Sequence, residues 1–211
     1  MKKIASFTAI LLLSLLSNTS IFAQGILLGP RLSGNLNIYN EQGLTGTWNG
    51  IGIGIGGTLD ISFSKHIGLM ADLTFFDMRN FSNATTQNQQ TTTTSLTLSY
   101  LSIDPMFKLD FSGFYMVAGP SLGIKLGSSG DRTVTAAGAN PNTQTLQLDT
   151  ETLVFDIAVG AGYNFTLSPE SMYLGTDFMV YIPLSNTYNT PGTSNSVLTL
   201  KLGAALKFNI L

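Results

Sequence analysis

The single histidine of the chain, His66, sits in the tripeptide Ser64-Lys65-His66. A hydrolase would use such a ring to take the proton of a hydroxyl nucleophile, with a third group orienting it. His66 falls between two apolar runs, in a stretch that reads as a tight turn, and a turn residue is the simpler role. Asp149 and Glu151 could offer carboxylate oxygens to a calcium ion, but no EF-hand spacing surrounds them. They read as solvated loop charges. Gly52-Ile53-Gly54-Ile55-Gly56-Gly57 has the glycine density of a dinucleotide-binding loop, yet that fingerprint joins a strand to a helix. Here the glycines alternate with isoleucine. The absence of cysteine excludes disulfides, thiolate metal sites and thiol catalysis. No catalytic, cofactor or metal site is assigned, and no enzymatic activity is expected.

The informative chemistry is a set of ten charges placed at alternate positions inside apolar runs. Five are positive (Arg31, Lys108, Lys125, Lys201, Lys207) and five negative (Asp60, Asp72, Asp104, Asp156, Asp177). None falls centrally on an apolar face. Such charges can form a paired network only if the runs close around them. Height counting from the short turns predicts that Lys125 pairs with Asp156. A proton or ion path is the sharper use of such a set. Structural filling is favoured, because eight strands leave an interior just wide enough for side chains. Asp77 and Arg79 read as strand-end charges beside a long loop.

The elements that position these charges are strands. From Gly50 to Phe63 the chain alternates strictly, with Ile51, Ile53, Ile55, Leu59, Ile61 and Phe63 against Gly52, Gly54, Thr58, Asp60 and Ser62. A helix repeats every 3.6 residues and cannot make that pattern. Eight such runs are expected, over 25–39, 50–63, 67–80, 96–109, 114–127, 152–165, 172–184 and 197–210. Leu96 and Leu98 are out of phase with Leu101 and Ile103, which predicts a bulge or a strand end beyond the lipid. Short turns at 64–66, 110–113 and 166–171 alternate with long connections at 40–49, 81–95, 128–151 and 185–196. The Thr91-Thr92-Thr93-Thr94 region reads either as a loose loop or as a polar extension of its flanking strands.

Charged residues make up only 10% of the chain, against roughly 25% in soluble domains. That is too few for a polar exterior. Alternation with short turns on one side and long loops on the other is the plan of a transmembrane β-barrel. The expected fold is therefore all-β, an eight-stranded antiparallel up-and-down barrel. Aromatic girdles are expected from Tyr39, Trp48, Phe81 and Tyr188 on the outer side and from Phe63, Phe111, Phe165 and Phe208 on the inner side. Lys2 and Lys3, the apolar run Ile4–Leu16 and a small residue at Ala23 form the plan of a cleaved export signal over residues 1–23, leaving 24–211 as the barrel domain. The net charge of −2 is too mild and mixed for nucleic acid as a partner.

Tyr100-Leu101-Ser102-Ile103-Asp104-Pro105-Met106-Phe107-Lys108 and Phe114-Tyr115-Met116-Val117-Ala118-Gly119-Pro120-Ser121-Leu122-Gly123, with Asp156-Ile157-Ala158-Val159-Gly160-Ala161-Gly162, resemble the strands of the PorT-like outer-membrane β-barrel family common in Bacteroidetes. In plan the chain is similar to eight-stranded OmpA/OmpX-like barrels. Two positions depart: Asp104 stands where the family usually has Ile before proline, and the chain ends Phe208-Asn209-Ile210-Leu211 instead of in an aromatic. The resemblance implies a bacterial outer-membrane location. The expected function is a non-enzymatic barrel with a filled lumen, without cofactor. It would act through its surface loops or as a structural or secretion-associated component. Its partners would be membrane lipid and a protein or surface ligand at the long loops. The alternatives are a narrow ion or solute channel and a soluble lipocalin-like carrier.

Overall fold

The computed structural model describes residues 25–43, 48–138, 140–169, 171–189 and 193–210. The export signal expected over 1–23 lies outside them. Nine strands follow in chain order: β1 (Gly25–Glu41), β2 (Trp48–Ser62), β3 (Ile67–Gln87), β4 (Gln90–Phe111), β5 (Phe114–Ala136), β6 (Asn142–Leu146), β7 (Leu153–Ser168), β8 (Met172–Pro183) and β9 (Asn195–Asn209). Eight of them close a ring, each antiparallel to its neighbours, in the order β1-β2-β3-β4-β5-β7-β8-β9 and back to β1. The ninth, β6, pairs only with the distal part of β5.

Alternation sorts the side chains. Leu32, Ile51, Phe107 and Leu202 point out of the ring and are 60%, 77%, 52% and 67% exposed, whereas Asn35, Asp60, Ser102, Asp104 and Lys201 point in and are at most 3% exposed. A closed ring satisfies every ladder bond internally, which is what lets strands cross a layer without water. β4 and β5 join through Ser112 and Gly113, with φ of 58° and 102°. Two left-handed residues in a row make the turn whose twist matches a hairpin, and glycine takes the second position without strain.

Several expectations change at the long-loop end. The stretch 81–95 is no loop: β3 and β4 stay paired up to Gln87 and Gln90, through the two-residue turn Asn88-Gln89. The polar-extension reading therefore holds. Likewise β5 runs on to Ala136, and β6 folds back along it from Val134 to Gly130. The outer parts of β3, β4, β5 and β6 thus rise as one sheet above the barrel rim.

The phase conflict at Leu96 also resolves differently from the expected bulge or strand end. β4 alternates without a break, and Leu96, Leu98, Tyr100, Ser102 and Asp104 all face inward. Register shifts occur on its neighbours instead, between Thr74 and Asp77 of β3 and opposite Ser99 and Tyr100 on β5. On β3 both Phe75 and Phe76 are exposed, 60% and 41%. That bulge moves the inward phase from even to odd residues and turns Asp77, Arg79 and Phe81 into the lumen.

Candidate functional site

The interior is a stack of ion pairs along the barrel axis. Nearest the short turns, Lys108 Nζ from β4 lies 2.8 Å from Asp60 Oδ2 of β2, and Lys207 Nζ from β9 lies 3.0 Å from the same oxygen. Asp110 adds a second carboxylate 2.9 Å from Lys108. Both ammonium groups sit 5.1 Å from the ring centre of Tyr115, on β5 between them. A mouth of about 570 Å³ opens below this layer, lined by Ser62, Ser64, Lys65, Asp110 and Asn164 with Lys108 at its floor.

At mid-height the Arg31 guanidinium forks onto both oxygens of Asp177, the Nη2 contact measuring 2.6 Å, and its Nε lies 3.1 Å from Asp72 Oδ2. The fork needs room on β9. A Cβ built on Gly203 would stand 2.2 Å from Arg31 Nη2 and 2.5 Å from Asp177 Oδ1, so the pair as placed occupies the space a side chain there would take. Asp104 lies directly across from Asp72 in the ladder. Hydroxyls hold it: Ser121 Oγ donates at 2.6 Å and Tyr181 Oη at 2.9 Å.

The next layer centres on Asp77, which accepts from Asn35 Nδ2 at 2.9 Å, Ser102 Oγ at 2.9 Å and Lys201 Nζ at 3.1 Å. Arg79 Nη2 then reaches Asp156 Oδ2 at 3.0 Å. Low dielectric makes such pairs strong and an unpaired member costly, so each charge is tied to the others.

Nine of the ten charges singled out by alternation lie in this stack: Arg31, Asp60, Asp72, Asp104, Lys108, Asp156, Asp177, Lys201 and Lys207 are buried. Lys125 does not join them. It is half-buried at the outer rim, where Nζ donates to Thr150 O at 2.7 Å and to Thr150 Oγ1 at 2.9 Å. The pair expected with Asp156 is absent because the register opposes Asp156 to Ser121, four residues lower, and Arg79 takes the carboxylate. Asp77 and Arg79, which alternation alone reads as strand-end charges, are buried in the stack. The signal was the doublet Phe75-Phe76: two outward aromatics in a row require a bulge, and the bulge reverses the face of every later residue.

Above the charges the lumen turns apolar. Tyr39, Phe81, Leu96, Leu98, Tyr100, Val154 and Val197 are buried together, with Trp48, Leu146, Leu148 and Tyr188 packed against them. Tyr39 stacks on Phe81 at 5.0 Å and meets Trp48 and Tyr188 edge-on. The outer aromatic girdle expected from these four residues is instead a plug, since Tyr39 lies in the inward phase of β1 and Phe81 is turned in by the bulge. Burial pushes the Tyr188 hydroxyl well above the usual phenol range. Of the expected inner girdle, Phe111, Phe165 and Phe208 are exposed, beside Phe114 and Tyr163, and Phe63 is half-buried. At the outer rim, Thr150 and Glu151 are tied down by Lys125, by the Thr150–Tyr188 bridge and by Glu151 N donating to Thr187 O at 2.9 Å.

His66 is an exposed turn residue, its Nδ1 3.1 Å from the Asp110 carbonyl oxygen. Among the described residues no three His, Cys, Asp or Glu side chains are grouped as a metal site requires. The exterior is the inverse of what a soluble ligand carrier needs, with leucine, isoleucine and phenylalanine outside and carboxylates within.

A family model described as "Outer membrane protein beta-barrel domain" matches residues 22–189. The chain belongs to that family. It is accordingly an outer-membrane β-barrel protein, and the apolar outer face of its ring meets lipid. No curated protein matches it. Among solved structures it is similar to Ail of Yersinia pestis, solved in complex with the heparin analogue sucrose octasulfate, at 13% identity over 87% of this chain and 99% of that one, with a TM-score of 0.41. It is also similar to CarO2 of Acinetobacter baumannii (12% identity, 88% and 99% covered, TM-score 0.45) and to OprG of Pseudomonas aeruginosa (11%, 89% and 97%, TM-score 0.42).

Proposed function

We propose that this outer-membrane barrel is a non-enzymatic surface-contact protein. Its membrane part anchors, and its projecting sheet and long connections, above all residues 128–151, meet a protein or surface ligand. The observation that carries this reading is a contrast in filling. Paired charges and an apolar plug occupy the interior, while β3 to β6 offer an almost uncharged, threonine-rich surface above the rim. Cells displaying the full chain are compared with cells whose residues 131–149 are replaced by a short Gly-Ser linker, on arrays of proteins and glycans. Binding of some array member by the full chain, lost with the linker while the barrel remains folded, is expected. Identical arrays would refute the reading.

Two finer assignments belong to the same proposal. A PorT-like, secretion-associated role would rest on the strand motifs from Tyr100 to Gly123, and deletion of the gene should then impair export of other proteins. Residues 1–23 would be removed on export, leaving Gln24 as the first residue; the mass of the protein extracted from membranes tests this. A narrow channel is the rival use of the lumen. Planar-bilayer recordings should be silent, because the lumen is filled by side chains whose charges are held in ion pairs or by hydroxyls.

A further inference from the structure

Within the ring every strand has a neighbour on both sides, but β6 has one along its whole length. Its residues Asn142 to Leu146 pair with Val134 to Gly130 on one edge, and among the described residues nothing pairs with the other. Edge strands are normally protected by lysine, by proline, by a bulge or by a covering loop. β6 reads Asn-Thr-Gln-Thr-Leu, with no charge, no proline and no register shift, and its first four residues are exposed.

The sheet that ends in β6 carries mostly small polar residues on its outer face. On its outer face Thr86, Thr91 and Thr135 form one row, Thr93, Thr133 and Thr143 the next, and Ser95, Asp131 and Thr145 a third. Cross-strand hydroxyls bond within these rows, Thr86 to Thr91 at 3.0 Å and Thr133 to Thr143 at 2.9 Å. The first row is threonine throughout and the second becomes so from Thr93 on, with Ala84 at its start, and cross-strand pairs of this kind stabilise sheets. Thr143 and Thr145 end the second and third rows on β6. The backbone of β6 presents alternating N–H and C=O groups at strand spacing, and an extended main chain is the group that matches them. A glycan would lack that spacing, and the outer face of these rows carries no aromatic ring for a sugar to stack on.

We infer that β6 is a docking edge for an extended, uncharged, β-branched-rich segment of another protein, which adds to the projecting sheet as a further strand. This rests on the surface-contact reading above and names the kind of partner. The probe is a library of random linear peptides displayed on phage, panned against the full chain in lipid nanodiscs. Selected peptides are then resynthesised with and without backbone N-methylation at alternate residues.

Saturable binding is expected, weakened about tenfold by Thr143→Lys with Thr145→Lys, which restores the missing edge charge. Methylation should abolish it in one alternate register and spare it in the other. Gln144→Lys alone, on the opposite face of β6, should weaken it as well and serves if the double variant folds poorly. Failure to select any saturable peptide, equal binding to the lysine variants, or indifference to methylation would each overturn the inference. A glycan or folded protein bound through 131–149 with no peptide selected would leave the surface-contact reading standing without the edge. Arrays unchanged by the linker would remove both.

Discussion

Within the membrane and above it, the same three strands behave differently. The lower parts of β3, β4 and β5 send Asp72, Asp104, Lys108 and Ser121 into a lumen where every charge has a partner from a distant strand. Their upper parts carry threonine on both faces, with Arg132 and Asp131 the only charges, and end on an unpaired edge. Burial explains the contrast. Inside the ring a polar group must be paired, so its identity is dictated by neighbours. Above the rim water satisfies the side chains, and composition is free to serve contact.

Substitutions should separate the two regions by size of effect. The largest is expected for Asp60→Ala, which strands Lys108 and Lys207 with less compensation. Removing one member of a buried pair costs about 3–5 kcal/mol, read as a lower urea midpoint in detergent or lipid. Ile53→Arg, on the outward face at mid-height, should cost about 2–4 kcal/mol, and the loss should shrink in thinner bilayers. Gly130→Ala comes next. Its new Cβ would stand 2.8 Å from Leu96 Cδ2 and 3.2 Å from Leu148 Cδ2, which should cost about 1 kcal/mol and expose residues 137–149 to added protease. Thr133→Ala, above the membrane, removes one exposed hydroxyl pair and should cost about 0.2–1 kcal/mol. If Thr133→Ala matched Asp60→Ala, the division between the regions would fail.

Much of the barrel was legible because a period of two is a direct consequence of strand geometry, and a lipid-facing wall forbids charge on one of the two sides. Arg31, Asp60, Asp177 and Lys207 could be placed inside on that ground alone. Periodicity tells which face a residue takes, but not its height against the next strand, so Lys125 was matched to Asp156 although four residues separate their levels. It also assumes an unbroken phase. One extra residue at Phe75-Phe76 reverses the sides of Asp77, Arg79 and Phe81, and with them the centre of the ion network and the ring on which Tyr39 stacks. β6 was illegible for a different reason: in a polar stretch where neither face is buried, alternation leaves no trace.

The central claim is the sidedness of the wall, and two positions three residues apart on β8 test it. The chain has a single tryptophan, Trp48, so Trp48→Phe gives a dark background into which Phe178→Trp or Tyr181→Trp is introduced. Phe178 is 47% exposed on the outer face and Tyr181 1% exposed within. In bilayers of phospholipid brominated at mid-chain, fluorescence from Phe178→Trp should be strongly quenched and that from Tyr181→Trp left nearly intact. Equal quenching, or the reverse order, would contradict a barrel that turns its apolar residues to lipid and its charges inward.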